Sequence, residues 1–348
     1  MRELKIGVIG TGRIGAEHIR GIQRHLSGAC VAAVASSSPK RAEEAAELYG
    51  IPGVMTAEEL IMDAGIDAVL IAAPGAVHEQ YLLACLECGK PVFCEKPLAD
   101  TKESSRMILE AEVKAGRRLI QLGFMRRFDR HHRELRELVC SGSMGHPLMV
   151  HAVHRNPRAG EGFDDRMEIM DAAIHEIDVV PWLLGGDPLA ACRVLHGRTA
   201  SCAEGKLYDP QLVILETVSG VLIDLEVFTH CDYGYDVSCE VVCERGTVSL
   251  PASVSNIVRQ GAYRRVREYD FWKERYRAAF DMELQRFIDG ARAGVLEGPT
   301  AWDGYVAAAA GEACLLAQKS GKRQEICYME QPALYQGAEG FADERMKV

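Results

Sequence analysis

An acid and an imidazole lie four residues apart within residues 170–184, where the apolar residues follow a helical pattern. Side chains at this spacing share one helix face, so Asp171 and His175 are expected to be neighbours. An imidazole titrates near neutral pH and can take the proton of an alcohol while hydride leaves the carbon. A carboxylate beside it orients the ring and favours its charged form. The pair indicates an acid–base centre, although an ordinary pair on a helix surface has the same spacing.

A lysine stands where the ligands of parallel sheets bind. The segment Cys94-Glu95-Lys96-Pro97 ends a short apolar run, and a residue before proline is pushed into extended backbone. Ligands of such sheets lie beyond the carboxyl ends of the strands. Lys96 is therefore expected to project into the ligand cleft, whereas a lysine taken alone is also typical of a solvated surface.

A glycine-rich segment predicts a dinucleotide site. It follows the first strand-like run, opens a helical pattern and has the form G-x-G-x-x-G. Gly10 permits a tight turn, Gly12 lets the backbone approach a pyrophosphate, and Gly15 lets helix and strand pack closely. The helix N-terminus then offers N–H donors and the positive end of its dipole to the phosphates. The residues of this loop are Gly10, Thr11, Gly12, Arg13, Ile14 and Gly15.

The end of the second strand bears on the choice between NAD and NADP. An acid about 20 residues after the glycines would bind the ribose 2′-hydroxyl of NAD, but Ser36 and Ser37 occupy this place. Without a carboxylate nothing there repels a 2′-phosphate, and serine hydroxyls with Lys40 or Arg41 could bind it. We expect NAD or NADP as cofactor, with NADP accepted. Alternatively, Lys40 and Arg41 are solvated helix residues and NAD binds without the acid.

The elements that position these residues change type along the chain. Up to about residue 123, short apolar runs alternate with helical patterns, as in strands buried on both faces of a parallel sheet. Six such strands predict an α/β Rossmann fold with a doubly wound parallel sheet. The runs are residues 4–9, 30–35, near 54, 68–72, 92–94 and 119–122. The candidate cofactor-binding residues also include Ala73, Pro74 and His78, after the fourth run, and Glu95, at the end of the fifth.

Beyond residue 148, strand-like runs follow one another without a helix after each, and residues 218–221 give a turn signal between two of them. This predicts an α+β domain with an open, mostly antiparallel sheet. We expect residues 1–124 to form the dinucleotide-binding domain, residues 125–335 the substrate-binding and oligomerisation domain, and residues 336–348 a polar tail. The last helix, near residues 302–319, is expected to pack back on the first domain.

Composition narrows the function classes. The 348 residues suit about two domains, and a net charge of −10 argues against a nucleic-acid partner. No apolar run reaches the roughly 18 residues of a membrane span, and no signal-peptide pattern is present, so we expect a cytoplasmic protein without a membrane partner. The 12 cysteines are then expected to be free thiols and not disulfides. Neither Cys85 with Cys88 nor His175-Glu176, followed by Val179, completes a ligand set, so no metal is predicted.

In their order along the chain, G-x-G-x-x-G, E-K-P at residues 95–97 and D-x-x-x-H at residues 171–175 resemble one family. This is the glucose–fructose oxidoreductase, inositol dehydrogenase and rhizopine catabolism (Gfo/Idh/MocA) family, and the resemblance covers nearly the whole chain. It implies that Lys96, Asp171 and His175 are catalytic, that His175 is the acid–base group, and that Lys96 holds the reacting hydroxyl and the nicotinamide ribose. It also implies a homo-oligomer, a tetramer.

Five further segments are similar to those of bacterial inositol dehydrogenases in this family: residues 123–129, 154–157, 175–179, 233–236 and 298–305. They bring donors and acceptors for several hydroxyls, as discrimination between polyols requires. Tyr235 equally suits a core aromatic. The resemblance thus implies hydride transfer from a ring CH–OH of a cyclic polyol, with myo-inositol oxidised to 2-inosose, to NAD(P). The expected substrate-binding residues are Lys96, Arg126, His154, Asn156, Asp171, His175 and Tyr235.

Two rival functions stay open. The same fold could serve scyllo-inositol, glucose or another sugar, in either direction of the reaction. A non-catalytic sensor or repressor could keep the fold and the cofactor, but such a protein would be expected to lose Lys96 or His175, and both are present. Because the acid–base group is the part that the chemistry requires, an enzyme is favoured.

Overall fold

The protein's structure, a computed structural model, describes residues 2–160, 162–203, 207–251 and 256–337. They form two units. The first comprises the chain up to Met125, then Ala278–Ala308 and the chain from Met329 on; the second comprises Arg126–Arg277 and Ala309–Tyr328. The chain therefore returns to the first unit twice. The sequence predicted one boundary after residue 124 and a last helix that packs back on the first domain. Most of the tail predicted at residues 336–348, from residue 338 on, lies outside the described residues.

Parallel strands form the sheet of the first unit. They are β1 (Leu4–Ile9), β2 (Ala29–Ala35), β3 (Gly53–Val54), β4 (Ala68–Ile71), β5 (Val92–Glu95) and β6 (Ile120–Gly123). Their order is β3-β2-β1-β4-β5-β6, and every neighbouring pair is parallel. This is the Rossmann order, whose ligand crevice opens where the strand order reverses, between β1 and β4. The strands β4, β5 and β6 are buried at every position, which explains their continuous apolar sequences.

Helices connect these strands. They are α1 (Arg13–Arg24), α2 (Pro39–Tyr49), α3 (Ala57–Met62), α4 (His78–Glu87) and α5 (Lys102–Ala115). Local sequence sets their ends: Pro39 occupies the first turn of α2, and Gly50 ends that helix in the left-handed conformation. A capping box formed by Thr56 and Glu59 begins α3. The alternation of strands and helices that the sequence predicted is confirmed.

The second unit contains a mixed sheet. Its strands are β7 (Pro147–Arg155), β8 (Leu189–His196), β9 (Gln211–Thr217), β10 (Leu222–Phe228), β11 (Asp236–Cys243) and β12 (Gly246–Ser249); β13 (Val258–Gln260) and β14 (Tyr263–Arg265) form a separate hairpin, and β15 (Gln324–Glu325) closes one edge. The order is β12-β11-β7-β10-β9-β8-β15. Only β7 and β10 pair in parallel among these described strands. The mostly antiparallel sheet predicted from sequence is confirmed, including the turn between β9 and β10.

The helices of the second half have a less regular course. They are α6 (Arg130–Cys140), α7 (Asp165–Met167), a π-helix (Glu168–Ala173), α8 (Ile174–Leu183), α9 (Trp272–Ala293) and α10 (Ala301–Ser320). The unit boundary falls within α9, after Arg277, and within α10, after Ala308. In the first unit, a Cβ on Gly304 would lie 2.6 Å from the Cβ of Leu98, so the start of α10 packs closely there. No helix in the described ranges is both long and apolar enough to cross a membrane.

Candidate active site

The loop after β1 has the geometry that phosphate binding needs. Gly10 has a φ of +103°, and a Cβ there would lie 2.3 Å from the carbonyl oxygen of Ala72. A Cβ on Gly15 would lie 1.9 Å from the carbonyl oxygen of Gly10. Gly12 caps α1 and faces open space, since a Cβ at this position would have no heavy atom of the described residues within 4 Å. No acid occupies the first turn of α1, so its N–H groups and dipole can act on an anion.

The ends of β2 and α2 keep polar groups accessible. Ser36 is half-buried and Ser37 is exposed, and the Ser36 hydroxyl accepts the backbone N–H of Ser38 at 3.3 Å. Lys40 is exposed, with its amine 3.8 Å from a carboxylate oxygen of Glu44. Arg41 is exposed as well, and its carbonyl accepts the Thr11 hydroxyl at 3.4 Å. No acidic side chain stands at Ser36 or Ser37, so this site lacks the carboxylate that would select against a 2′-phosphate.

His78 and Glu95 brace the loops around Lys96. The His78 ring is fully buried, with Nδ1 2.8 Å from the carbonyl oxygen of Pro97 and Nε2 2.8 Å from that of Ala73. Glu95 is buried too, and its carboxylate lies 2.6 Å from Nε2 of His18 in α1. Both side chains thus make contacts within the protein, and their expected contacts with a cofactor stay a prediction. Sequence alone did not show these partners.

Lys96 itself is half-buried directly after β5. Its backbone N–H lies 3.3 Å from a carboxylate oxygen of Glu95, which ties the start of the turn to the buried pair with His18. The Lys96–Pro97 peptide bond is cis. On the neighbouring strand end, Ala73 is half-buried and Pro74 is exposed. The loops after β4 and β5 thus meet at the side of the sheet on which ligands of this fold bind.

Asp171 and His175 lie in one helical segment, as predicted. Asp171 is exposed within the π-helix, and His175 is half-buried in the first turn of α8. π-Turns within helices often occur at functional sites. The ring of His175 lies 6.0 Å, centroid to centroid, from that of His154 on β7. The second unit therefore brings two imidazoles and a carboxylate into one region.

Buried charged side chains, Glu176 and Arg126, contact His154 and hold its ring. Its Nδ1 lies 2.9 Å from a carboxylate oxygen of Glu176 on α8, which can accept its proton. A neutral ring that donates from Nδ1 keeps Nε2 as an acceptor, and the Asn156 amide nitrogen lies 3.4 Å from that atom. Arg126 forms an ion pair with Glu176, and another of its nitrogens lies 3.1 Å from His154 Nδ1.

Arg126 and Tyr235 differ from their predicted role as substrate contacts. The side chain of Arg126 is only 2% exposed, and Glu176 and His154 occupy its guanidinium. Tyr235 is buried, with its ring packed edge-on against His154 and Tyr276. Burial raises the pKa of the Tyr235 hydroxyl, against the opposing charge of Arg126. Both side chains contact His154, and their contact with a substrate stays a prediction.

Two buried acids, Glu176 and Asp178, were not among the predicted site residues, although the sequence around them contains a clue to their role. Glu176 and Asp178 interrupt an otherwise apolar helix and are both buried. A buried carboxylate needs a partner, and Arg127 pairs with Asp178 as Arg126 pairs with Glu176. Two adjacent arginines thus form ion pairs with two acids of α8. Acids within an apolar helix pattern predict such partners elsewhere in the sequence. In the described part of the chain, no group of three His, Cys, Asp or Glu side chains is placed to hold a metal ion.

Two family profiles match the chain. Residues 4–124 match the profile described as oxidoreductase family, NAD-binding Rossmann fold, of the Gfo/Idh/MocA proteins. Residues 132–249 match the profile of the Gfo/Idh/MocA C-terminal domain.

Relatives and solved structures are similar over nearly the whole chain. An inositol 2-dehydrogenase of Burkholderia lata is 48% identical, over 96% of this chain and 99% of its own. The structure of myo-inositol dehydrogenase from Lactobacillus casei, in complex with NAD(H) and myo-inositol, has a TM-score of 0.93 at 36% identity, covering 96% of this chain and 100% of the other. The scyllo-inositol dehydrogenase of that organism, with bound NAD(H) and scyllo-inositol, has a TM-score of 0.85 at 25% identity, covering 93% and 99%.

Proposed function

Because the chain belongs to the Gfo/Idh/MocA oxidoreductase family, we propose that it is an NAD(P)-dependent inositol 2-dehydrogenase. A ring CH–OH of myo-inositol loses a hydride from carbon and a proton from oxygen, and the product is 2-inosose. The observation that carries the proposal is the imidazole of His175, half-buried beside His154 and four residues after Asp171. The similarity to inositol 2-dehydrogenases over 96% of the chain supports the choice of substrate.

The residues of this chain have separate tasks in the reaction. His175 takes the hydroxyl proton as general base, and Asp171 orients its ring and favours the imidazolium that forms. Lys96 holds the reacting hydroxyl and the nicotinamide ribose. His154 and Asn156 bind other ring hydroxyls, since Nε2 of the imidazole and the amide nitrogen lie 3.4 Å apart at the end of β7. The bound nicotinamide supplies the hydride acceptor.

The dinucleotide would lie against the glycine loop. Gly12 faces open space at the N-terminus of α1, where a pyrophosphate fits and where a Cβ would intrude. NAD binding is supported by the Rossmann sheet and its family profile. We propose that NADP is accepted as well, since Ser36, Ser37, Lys40 and Arg41 offer hydroxyls and cations and no carboxylate at the end of β2. A kcat/KM strongly in favour of NAD would contradict NADP acceptance.

We also propose that the protein is a homo-oligomer and that it is located in the cytoplasm. An open sheet face with exposed leucines, Leu212 and Leu222, supports a homo-oligomer, and the family resemblance suggests a tetramer. Light scattering on the purified protein would test this state. All twelve cysteines are free thiols, which is typical of a reducing compartment and supports the cytoplasm.

The direct test is a substrate panel. Purified protein is mixed with NAD or NADP and with myo-inositol, scyllo-inositol, D-chiro-inositol or glucose, and formation of the reduced cofactor is followed. We expect the highest kcat/KM with myo-inositol. A higher value with scyllo-inositol would favour the second candidate, which the similarity to the scyllo-inositol enzyme supports. Tight cofactor binding with no turnover of any polyol, in either direction, would favour a non-catalytic sensor.

A further inference from the structure

A buried carboxyl begins the turn that carries Asp171. Glu168 is the first residue of the π-helix, and its side chain is fully buried. The hydroxyl of Thr229, after β10, donates to its Oε1 at 2.8 Å. Its Oε2 is equally buried and accepts no hydrogen bond from the described residues. Burying an ionised carboxylate oxygen without a hydrogen-bond donor costs free energy, whereas a protonated carboxyl can itself donate a hydrogen bond.

The neighbouring acid, Asp209, has donors of its own. It is fully buried in the segment before β9. Its Oδ1 accepts the backbone N–H of Thr229 at 2.9 Å, and its Oδ2 lies 2.6 Å from Nδ1 of His230. The Thr229 hydroxyl also lies 3.2 Å from Oδ2, so both oxygens of Asp209 have donors and the group is satisfied as a carboxylate. Glu168 has one donor and is therefore the member of the pair that holds a proton.

The surrounding charges agree with this assignment. Burial, and then the negative charge of Asp209, raise the pKa of Glu168 to about 9. Asp165, in the preceding α7, acts in the same direction. His230, which pairs with Asp209, is the basic group on this side of the cluster. A proton on the Glu168 carboxyl provides the donor for its hydrogen bond with Asp209, which also raises the pKa of Glu168.

We propose that Glu168 is a positioning residue, whose neutral carboxyl donates to Asp209 and thereby fixes the π-turn that presents Asp171 and His175. This inference rests on the proposed function of those two residues. The anchor lies one turn before Asp171 and joins the π-helix to the segments that flank β9 and β10. Loss of its proton places two carboxylates side by side in a buried site, and the turn that they hold together is then pushed apart.

The variants Glu168→Gln and Glu168→Leu separate positioning from packing. Glutamine keeps a donor for Asp209 and an acceptor for Thr229 but cannot ionise, whereas leucine fills the space and keeps neither. We expect the wild-type kcat to fall above about pH 9, where Glu168 loses its proton. Glu168→Gln should retain most of the wild-type kcat at neutral pH and should lack this fall. Glu168→Leu should lower kcat by up to about 100-fold with little change in KM for the cofactor, since small misplacements of reacting groups have effects of this size.

The histidine ring-proton NMR spectrum gives a second readout that needs no substrate. The His175 signal is identified by its absence from His175→Ala, and it should be displaced in Glu168→Leu but not in Glu168→Gln. Glu312→Gln, an exposed glutamate on α10, is the matched control and should leave both readouts as in the wild type. Circular dichroism establishes that each variant is folded.

Because the NMR comparison needs no substrate, failure of the inference about Glu168 can be distinguished from failure of the proposed function. Failure of the wild type to oxidise any inositol would contradict the proposed function, and the NMR comparison would still decide the inference. Equal losses in Glu168→Gln and Glu168→Leu, or an alkaline fall in kcat that persists in Glu168→Gln, would overturn it. So would a His175 signal that is unmoved in a folded Glu168→Leu variant.

Discussion

One buried carboxylate, Glu176, organises side chains that look independent in the sequence. It accepts from His154 and pairs with Arg126, which is itself buried. Charged groups in a protein interior must be paired, because an isolated charge there is too costly. The His154 ring is held in one orientation, because its Nδ1 lies 2.9 Å from Glu176 and 3.1 Å from an Arg126 nitrogen. The donors that face a substrate are thus fixed by residues that do not touch it.

The role of His175 gives the first prediction at this scale. His175→Ala removes the general base, so kcat should fall by about 10²- to 10⁴-fold. Binding of NAD should persist, because the glycine loop belongs to the first unit and is unchanged. His146→Ala, at an exposed histidine of the same unit, is the matched control. Turnover of His175→Ala at a tenth of the wild-type rate would assign the base to another group.

The glycine loop gives a prediction about an element. A Cβ on Gly15 would meet the carbonyl oxygen of Gly10 at 1.9 Å, whereas one on Gly12 would contact none of the described residues. Gly15→Ala should therefore destabilise the fold by about 1–3 kcal/mol through overpacking. Gly12→Ala should keep the stability and weaken NAD binding by at least about tenfold, or about 1.4 kcal/mol, because its methyl group occupies the pyrophosphate's space.

Thermal unfolding and calorimetric titration with NAD separate the two effects of these alanines. Gly197→Ala is a control at a glycine that also has open space around it. Equal stability of Gly15→Ala and the wild type would show that helix and strand do not need this close contact. Undiminished NAD binding by Gly12→Ala would place the pyrophosphate elsewhere.

The start of α6 gives a second prediction for an element. Asp129 caps this helix and is held by His132 at 2.7 Å and by Arg275 at 2.7 Å. Burial opposes its ionisation, but hydrogen bonds from His132 and Arg275 outweigh burial and hold the pKa of Asp129 well below its usual range. Asp129→Asn should lower the free energy of unfolding by about 3 kcal/mol at neutral pH, since it leaves a buried cation without its partner.

The sign of the pH dependence follows from that lowered pKa. A carboxylate with a depressed pKa in the folded state stabilises the protein above its unfolded-state pKa of about 3.9, and the effect is lost as the pH falls towards the folded-state value. The difference in unfolding free energy between wild type and Asp129→Asn should therefore shrink below about pH 4. Urea unfolding over a pH series measures it, and a difference that grows in acid would contradict this account.

The sequence predicted some elements better than others, for physical reasons. Strands buried on both faces leave continuous apolar runs, so β1, β4 and β6 were found close to their observed bounds. α6 was missed because seven of its eleven residues are arginine, glutamate or histidine and few apolar positions mark its buried face. Arg126 was assigned to the substrate because its partner in space, Glu176, lies 50 residues away in sequence.

At the scale of the whole molecule, the boundaries between the two units fall within two long helices, α9 and α10, so neither unit is one continuous stretch of chain. Residues 278–308 and 329–337 belong to the same unit as the Rossmann sheet. Tyr335 anchors the last of these segments, because its hydroxyl donates to the buried Glu112 at 2.6 Å. Burial, opposed by hydrogen bonds from Tyr335 and from the backbone, raises the pKa of Glu112. Contacts between residues more than 200 positions apart leave no local pattern, so the sequence predicted one boundary after residue 124 and a return of the last helix alone.

The whole protein is proposed to move a hydride directly from an inositol ring carbon to the cofactor. The decisive measurement uses myo-inositol that carries deuterium on the carbon of the 2-hydroxyl, with mass spectrometry of the reduced cofactor. We expect the deuterium on the nicotinamide ring and a slower turnover than with unlabelled substrate, both reduced to background in His175→Ala. Reduced cofactor without deuterium would contradict oxidation at this position, and no reduction at all would contradict the assignment as an inositol 2-dehydrogenase.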